Sequence, residues 1–169
     1  HLSPQGYTYL AEFYMRKFIS NYLRRDRDTS IYSMGQTADG WVSVNSISGT
    51  GDVQVGQRNA QNTRGIFSFN TDFIPDDKVI KKAYLFLKCK NIKTPYPLGI
   101  KFPQTFTLDI KSGPFGNASI EGTDYNEAAS QSDVACFAGN LIGNDYALRA
   151  DIHANALQYI NKTGITQFR

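Results

Sequence analysis

The sequence predicts an all-β fold, an antiparallel jelly-roll-like β-sandwich, with one amphipathic α-helix at its N-terminus. Its 169 residues fit a single domain of ordinary size. Hydrophobic residues make up 41% and aromatic residues 13%, which suits a buried core and excludes a disordered chain. From Ile31 onward, short alternating apolar runs are separated by clusters of Gly, Asn, Pro and Asp, as in antiparallel strands joined by turns.

Residues 1–28 have the pattern of a helix. Ser3 suits the N-cap, and Pro4 suits the first helical position, where a missing N–H costs nothing. Large apolar residues then recur every four positions. They are Leu10, Tyr14, Phe18 and Tyr22. The predicted helix therefore has an aromatic side that needs a partner surface.

Residues 31–169 predict one β-sandwich unit of eight strands. The predicted strands are Gly40–Asn45, Asp52–Val55, Gly65–Asn70, Val79–Lys90, Gln104–Lys111, Val134–Phe137, Tyr146–Ile152 and Ile165–Arg169. One short helix, His153–Ile160, interrupts them near the end.

The strand Val79–Lys90 carries the candidate binding site, because its two faces differ in chemistry. The core set is Ala83, Leu85, Leu87 and Cys89, and the opposite set is Tyr84, Phe86, Lys88 and Lys90. Aromatic rings stack on the C–H faces of sugars, and lysines recognise carboxylates or sulfates. We therefore predict a saccharide platform on the second set, with Trp41 and Tyr32 as secondary stacking candidates.

Charge gives this platform a preferred ligand class. The net charge of +3 is too small to indicate a nucleic-acid partner. Between Lys78 and Lys111, however, there are eight lysines and one acid, Asp109. Lysines that widen the patch toward an anionic polysaccharide are Lys81, Lys82, Lys93 and Lys101. The alternative is a face covered in part by the N-terminal helix, with lysines that serve solubility and edge protection.

No metal or cofactor site is predicted. The loop acids Asp39, Asp52, Asp72, Asp76 and Asp77 are of the type that binds calcium, but their spacing matches no calcium loop, so we interpret them as surface acids. His1 and His153 are the only histidines, which disfavours zinc. The two cysteines, Cys89 and Cys136, fit either a disulfide or two buried thiols.

The first seven residues, His1-Leu2-Ser3-Pro4-Gln5-Gly6-Tyr7, resemble the last conserved block of SGNH (GDSL-type) hydrolases. The resemblance implies that His1 matches the catalytic base and that the following helix is a remnant of such an enzyme. The nucleophile, its orienting acid and the oxyanion donors are absent from this sequence. We therefore expect no acyl transfer from this chain alone, because a histidine needs those partners.

Residues 38–169 resemble the DNRLRE (disaggregatase-related) group of carbohydrate-binding-like β-sandwich modules. The stretches that carry the resemblance include Asp52–Gly56, Gly65–Thr71, Val79–Leu85, Leu108–Lys111 with Gly113–Gly116, Glu121–Ala129 and Tyr159–Arg169. In that family the pattern continues past the strand that matches Ile165–Arg169. The resemblance therefore implies a module that lacks its last strand.

Together these observations predict a non-catalytic carbohydrate-binding or cell-surface adhesion module of an exported bacterial multidomain protein. Its expected partner is a polysaccharide or cell-wall glycan. No apolar run is long enough to cross a membrane, and no signal peptide opens the sequence. Two alternatives stay open: the C-terminal fragment of an SGNH-type esterase with His1 as base, and an assembly unit completed by strand exchange. In the second, the incomplete sheet edge or the N-terminal helix joins copies into a homo-oligomer.

Overall fold

The computed structural model describes residues 10–22, 27–35, 37–45, 48–58, 60–92, 106–138 and 147–169, with side chains from residue 29 onward. Eleven strands run in chain order. They are β1 Leu10–Tyr22, β2 Arg27–Tyr32, β3 Gly40–Ser43, β4 Ser48–Thr50, β5 Val53–Arg58, β6 Gln61–Asn70, β7 Ile80–Ile92, β8 Thr107–Ser112, β9 Gln131–Ala138, β10 Ala147–Asp151 and β11 Ile165–Phe168. Two short 3₁₀ helices, Gly122–Tyr125 and Ala154–Tyr159, complete the described elements.

The strands form a mostly antiparallel, β-sandwich-like structure. Their order is β11-β8-β9-β10-β7-β1-β5-β6-β3-β4, with β2 beside β1. Strand β11 also pairs with β6, from Ile165 opposite Asn70 to Phe168 opposite Phe67. Eight strands therefore form a closed circuit of pairings around the interior. The all-β class and the eight predicted strands are confirmed, with end points that differ by a few residues.

The predicted N-terminal helix is wrong over the described residues, because residues 10–22 form β1 and residues 27–32 form β2. Strand β1 lies between β7 and β5, with Phe18 opposite Leu85 and Phe13 opposite Val53. A spacing of four places residues on one side of a helix, but also on one face of a strand, because four is a multiple of two. Aromatic residues favour strands, and pairing with β7 decides between the two.

The main hydrophobic core lies inside the circuit. The inner face of β7 is buried as predicted, with Ala83, Leu85, Leu87 and Cys89 at most 2% exposed. Phe69 and Phe168 meet edge to face across the β6–β11 pair, with their ring centroids 5.9 Å apart. A smaller cluster of Val42, Ile66 and Ile120 packs on another part of β6.

Buried polar side chains fix the position of β11 beside β6. Gln167 donates from Nε2 to Ser68 Oγ over 2.9 Å and accepts the Phe115 N–H at Oε1 over 2.6 Å. Thr71 and Thr166 share a hydroxyl contact of 2.8 Å. Each of these side-chain polar groups has a hydrogen-bond partner. Their burial therefore favours this pairing of β11 with β6 and leaves none of them unsatisfied.

Asp39 anchors the segment before β3 to β6. Its carboxylate is fully buried, and it accepts the Ser68 N–H at Oδ1 over 2.7 Å and the Gly35 N–H at Oδ2 over 3.1 Å. Asp39 was predicted to be a surface acid, and this prediction is wrong. A buried carboxylate needs such charge-assisted hydrogen bonds to offset its lost hydration.

We predict that Asp39→Asn lowers the free energy of unfolding by about 1–3 kcal/mol, because an amide places an N–H₂ where one of two donors now points. Urea denaturation of the variant and the parent chain measures the difference. Asp72→Asn, at an exposed loop position, is the matched control and should change stability by less than about 0.5 kcal/mol. Equal stability of Asp39→Asn and the parent would contradict the anchoring role.

A second buried carboxylate, Asp124, lies in the first 3₁₀ helix. Its Oδ2 accepts the Glu121 N–H over 2.8 Å, whereas its buried Oδ1 has no hydrogen-bond partner among the described residues. Gly116, at a φ of +71°, lies against Oδ1, and a Cβ there would come within 2.5 Å of it. Burial raises the pKa of the Asp124 carboxyl, and the nearby charges of Glu121 and Glu127 raise it further.

We predict that Asp124→Asn stabilises the chain at pH 7 and that this gain shrinks as the pH falls toward 4. The folded state binds the Asp124 proton more tightly than the unfolded state, so ionisation of this group weakens the fold as the pH rises through the raised pKa. The amide has no such cost. Melting temperatures of both proteins from pH 4 to pH 8 give the difference, and a difference that is constant with pH would refute this account.

Candidate functional site

The predicted platform lies on the outer face of β7, which we define as Lys82, Tyr84, Phe86, Lys88 and Lys90. Tyr84, Phe86 and Lys88 are half-buried, and Lys82 and Lys90 are exposed. The alternation of β7 sends these side chains away from the buried core set. The structure thus places four of the predicted ligand-binding residues, Tyr84, Phe86, Lys88 and Lys90, on one face of one strand.

Strand β10 adds a cation that the sequence analysis missed. Arg149 lies opposite Phe86 in the ladder, and its Cζ is 4.1 Å from the centroid of the Tyr84 ring. The guanidinium also donates from Nε and Nη2 to the two carboxylate oxygens of Asp151, the second over 3.0 Å. These hydrogen bonds raise the pKa of Arg149, so the group stays charged. Arg149 could not be assigned to this face from the sequence, because its place depends on the pairing of β10 with β7, which a single sequence does not reveal.

The outer face continues across β1 to β2. Phe86 lies opposite Lys17, and Lys17 lies opposite Tyr32. Tyr32 is 66% exposed, whereas its neighbour Ile31 packs against the core. Since directly opposed residues in a ladder share a face, Tyr32 belongs to the same row as Phe86.

Lys90, at one end of this face, is in an ion pair. Lys90 Nζ lies 2.9 Å from Asp52 Oδ2, with the two side chains 49% and 48% exposed. Such an exposed pair contributes little to stability and exchanges readily with another anion. Lys81 is exposed and lies out of phase with the outer-face residues. Lys93 and Lys101, which were expected to widen the patch, lie outside the described residues.

Trp41 is not part of this face. It lies in β3, and strands β1, β5 and β6 separate β3 from β7. The indole packs closely on β4, since a Cβ on Gly49 would lie 2.6 Å from Trp41 Nε1. The structure therefore does not bring Trp41 together with Tyr84. His1 lies outside the described residues, and its predicted role stays a prediction.

The candidate metal-binding residues do not converge. Asp52 pairs with Lys90 and Asp77 pairs with Lys78, while Asp39 is buried in its own hydrogen bonds. Within the described ranges, no group of three or more His, Cys, Asp or Glu side chains is arranged to hold a metal ion. Cys89 is buried on the core face of β7, and the side chain of Cys136 is outside the description, so their pairing stays open.

A concave site that was not predicted from the sequence is lined by strands of the circuit. It is a groove of about 410 Å³. Its walls come from β5, β6, β7, β8, β9 and β10, together with Arg169. Residues from so many strands come together only when the circuit of strands forms. Local alternation alone therefore does not reveal the groove.

Comparisons with known proteins identify no relative. No protein-family model matches the chain, and no significant match was found among the curated proteins or the solved structures. No helix in the described ranges is both long enough and apolar enough to span a membrane.

Proposed function

We propose that this chain is a non-catalytic carbohydrate-binding or cell-surface adhesion module, with a jelly-roll-like sandwich, that belongs to an exported multidomain protein. The observation that carries the proposal is the row of aromatic and cationic side chains along the outer face of β7 and the adjoining Arg149. The ligand class that this row fits best is an anionic polysaccharide.

The chemistry of the row matches both parts of such a ligand. Phe86 and Tyr84 offer apolar ring surface to the C–H faces of sugar rings. Arg149 covers one face of Tyr84, so Phe86 is the main stacking surface. Lys88 and Lys90 lie two and four residues along the same face, about 7 and 14 Å from Phe86 at the rise of a β-strand. This spacing places cations along an extended chain of acidic sugars.

The shape of the row also fits a polymer. The row extends along β7, and the same face continues across β1 to Tyr32 on β2. Exposed lysines gain little from a single carboxylate, but repeated charges along a polymer add up. We therefore expect weak binding of short oligosaccharides and strong retention on the polymer.

We predict that Lys88→Ala combined with Lys90→Ala weakens binding to alginate about tenfold, since an ion pair at the surface contributes up to about 1 kcal/mol and this variant removes two. Affinity electrophoresis in gels that contain alginate, pectin or neutral xylan measures the change. Added salt should reduce retention of the parent chain on alginate and pectin, because exposed charges are screened.

The matched control is Lys81→Ala, which removes the same charge from the same strand but out of phase with the outer face. It should leave most of the retention in place. Equal losses from Lys81→Ala and from a single change at Lys88 would indicate a nonspecific charge effect. Unchanged retention of the double variant would refute the outer face as the site.

A further inference from the structure

The groove lined by β5 to β10 has an apolar floor. The floor side chains are Val55, Phe67, Leu87, Leu108 and Leu148, which come from five different strands. Phe106 and Phe137 form one wall, where the Phe137 N–H donates to the Phe106 carbonyl over 3.4 Å and the two side chains are half-buried. Its volume of about 410 Å³ falls within the range of small-molecule sites, roughly 300–1,000 Å³.

Among the described residues that line the groove, four side chains are charged: two form an ion pair with each other, and a third, Arg64, is held by uncharged groups. Asp109 Oδ2 accepts a hydrogen bond from Arg169 Nη2 over 2.9 Å. Arg169 is only 4% exposed and also donates to the carbonyls of Asp124 and Glu127. Arg64 donates to the Tyr125 carbonyl over 2.7 Å and lies 4.3 Å above the Tyr125 ring.

Asp133 is the fourth charged residue of the rim. It has a φ of +55°, and its N–H donates to Asp109 Oδ1 over 3.3 Å, which fixes its backbone. Its side chain is exposed, and the carboxylate has no hydrogen-bond or ion-pair partner in the part of the chain that the structure describes. Ser132 and Thr107 add hydroxyl groups beside it. Asp133 is therefore the rim carboxylate that has no partner among the described residues, whereas the Arg64 guanidinium is held at the carbonyl and ring of Tyr125.

We propose that this groove is a second binding site, distinct from the outer face of β7, and that it takes a small amphipathic amine. The apolar chain or ring of the ligand lies on the floor and against Phe106 and Phe137. Its ammonium group lies at the rim and donates hydrogen bonds to the Asp133 carboxylate. Burial of the apolar part supplies most of the affinity, and the charge pair supplies the selectivity for an amine.

Three ligands of equal chain length test the proposal: hexylamine, hexanol and hexanoate. We expect saturable binding in the order amine, alcohol, carboxylate, as measured by NMR titration of the full 169-residue chain. The shifted resonances should be those of Phe106, Phe137 and Leu148. Extending the amine from butyl to hexyl should tighten binding roughly three- to fourfold per methylene group.

The matched variant is Asp133→Asn, since asparagine tolerates the left-handed backbone of this position. It should weaken hexylamine binding about fivefold and leave hexanol binding unchanged. Asp72→Asn, which removes an exposed carboxylate elsewhere, should change neither. Ser132→Tyr places a ring at the rim and should weaken all ligands that enter the groove.

Several results would overturn the proposal. These are no saturable binding of hexylamine, tighter binding of hexanoate than of hexylamine, an unchanged affinity in Asp133→Asn, or shifts confined to residues outside the groove. Retention of Asp133→Asn on alginate is measured in parallel. This variant should keep the polysaccharide retention of the parent chain. The proposal of amine binding in the groove and the proposal of polysaccharide binding on the outer face of β7 can therefore be refuted independently.

Discussion

The structure depends most on the two-faced character of β7. This strand pairs with β1 along most of its length and with β10 on its other edge. Its inner side chains supply much of the main core, and its outer side chains supply the candidate binding surface. A shift of one residue in the register of β7 would expose four apolar side chains and bury lysines. The burial of the core set therefore also fixes which side chains form the outer face.

The short strand β11 has a second structural role. It pairs with both β6 and β8, and it contributes Thr166, Gln167 and Phe168 to the interior. Arg169 extends this connection, because its guanidinium reaches Asp109 on β8 and the carbonyls of the first 3₁₀ helix and the segment after it. Asp109 and Arg169 also line the groove described above. Its rim is therefore held by partly buried and exposed hydrogen bonds of Arg169, while its floor is apolar core.

The sequence predicted what depends on local alternation. The β7 pattern identified the buried set and the outward set, and turn residues separated most strands correctly. The N-terminal segment failed because a four-residue spacing fits both a helix and a strand, and only its partners β5 and β7 distinguish the two. Arg149, the groove and the burial of Asp39 were also missed. All three depend on contacts between residues that are far apart in the sequence.

The circuit of strands has a consequence for how the chain acquires its structure. The β6–β11 ladder joins residues that are nearly a hundred positions apart, as in the pair of Asn70 and Ile165. The entropy cost of closing so long a loop comes before the stabilising contacts form. Topologies with high contact order therefore fold slowly, in milliseconds to seconds. During synthesis on a ribosome, β6 would have no β11 to pair with until Ile165–Phe168 had emerged. In that interval the side chains of Phe67 and Phe69, which are buried in the folded chain, would be accessible to chaperones.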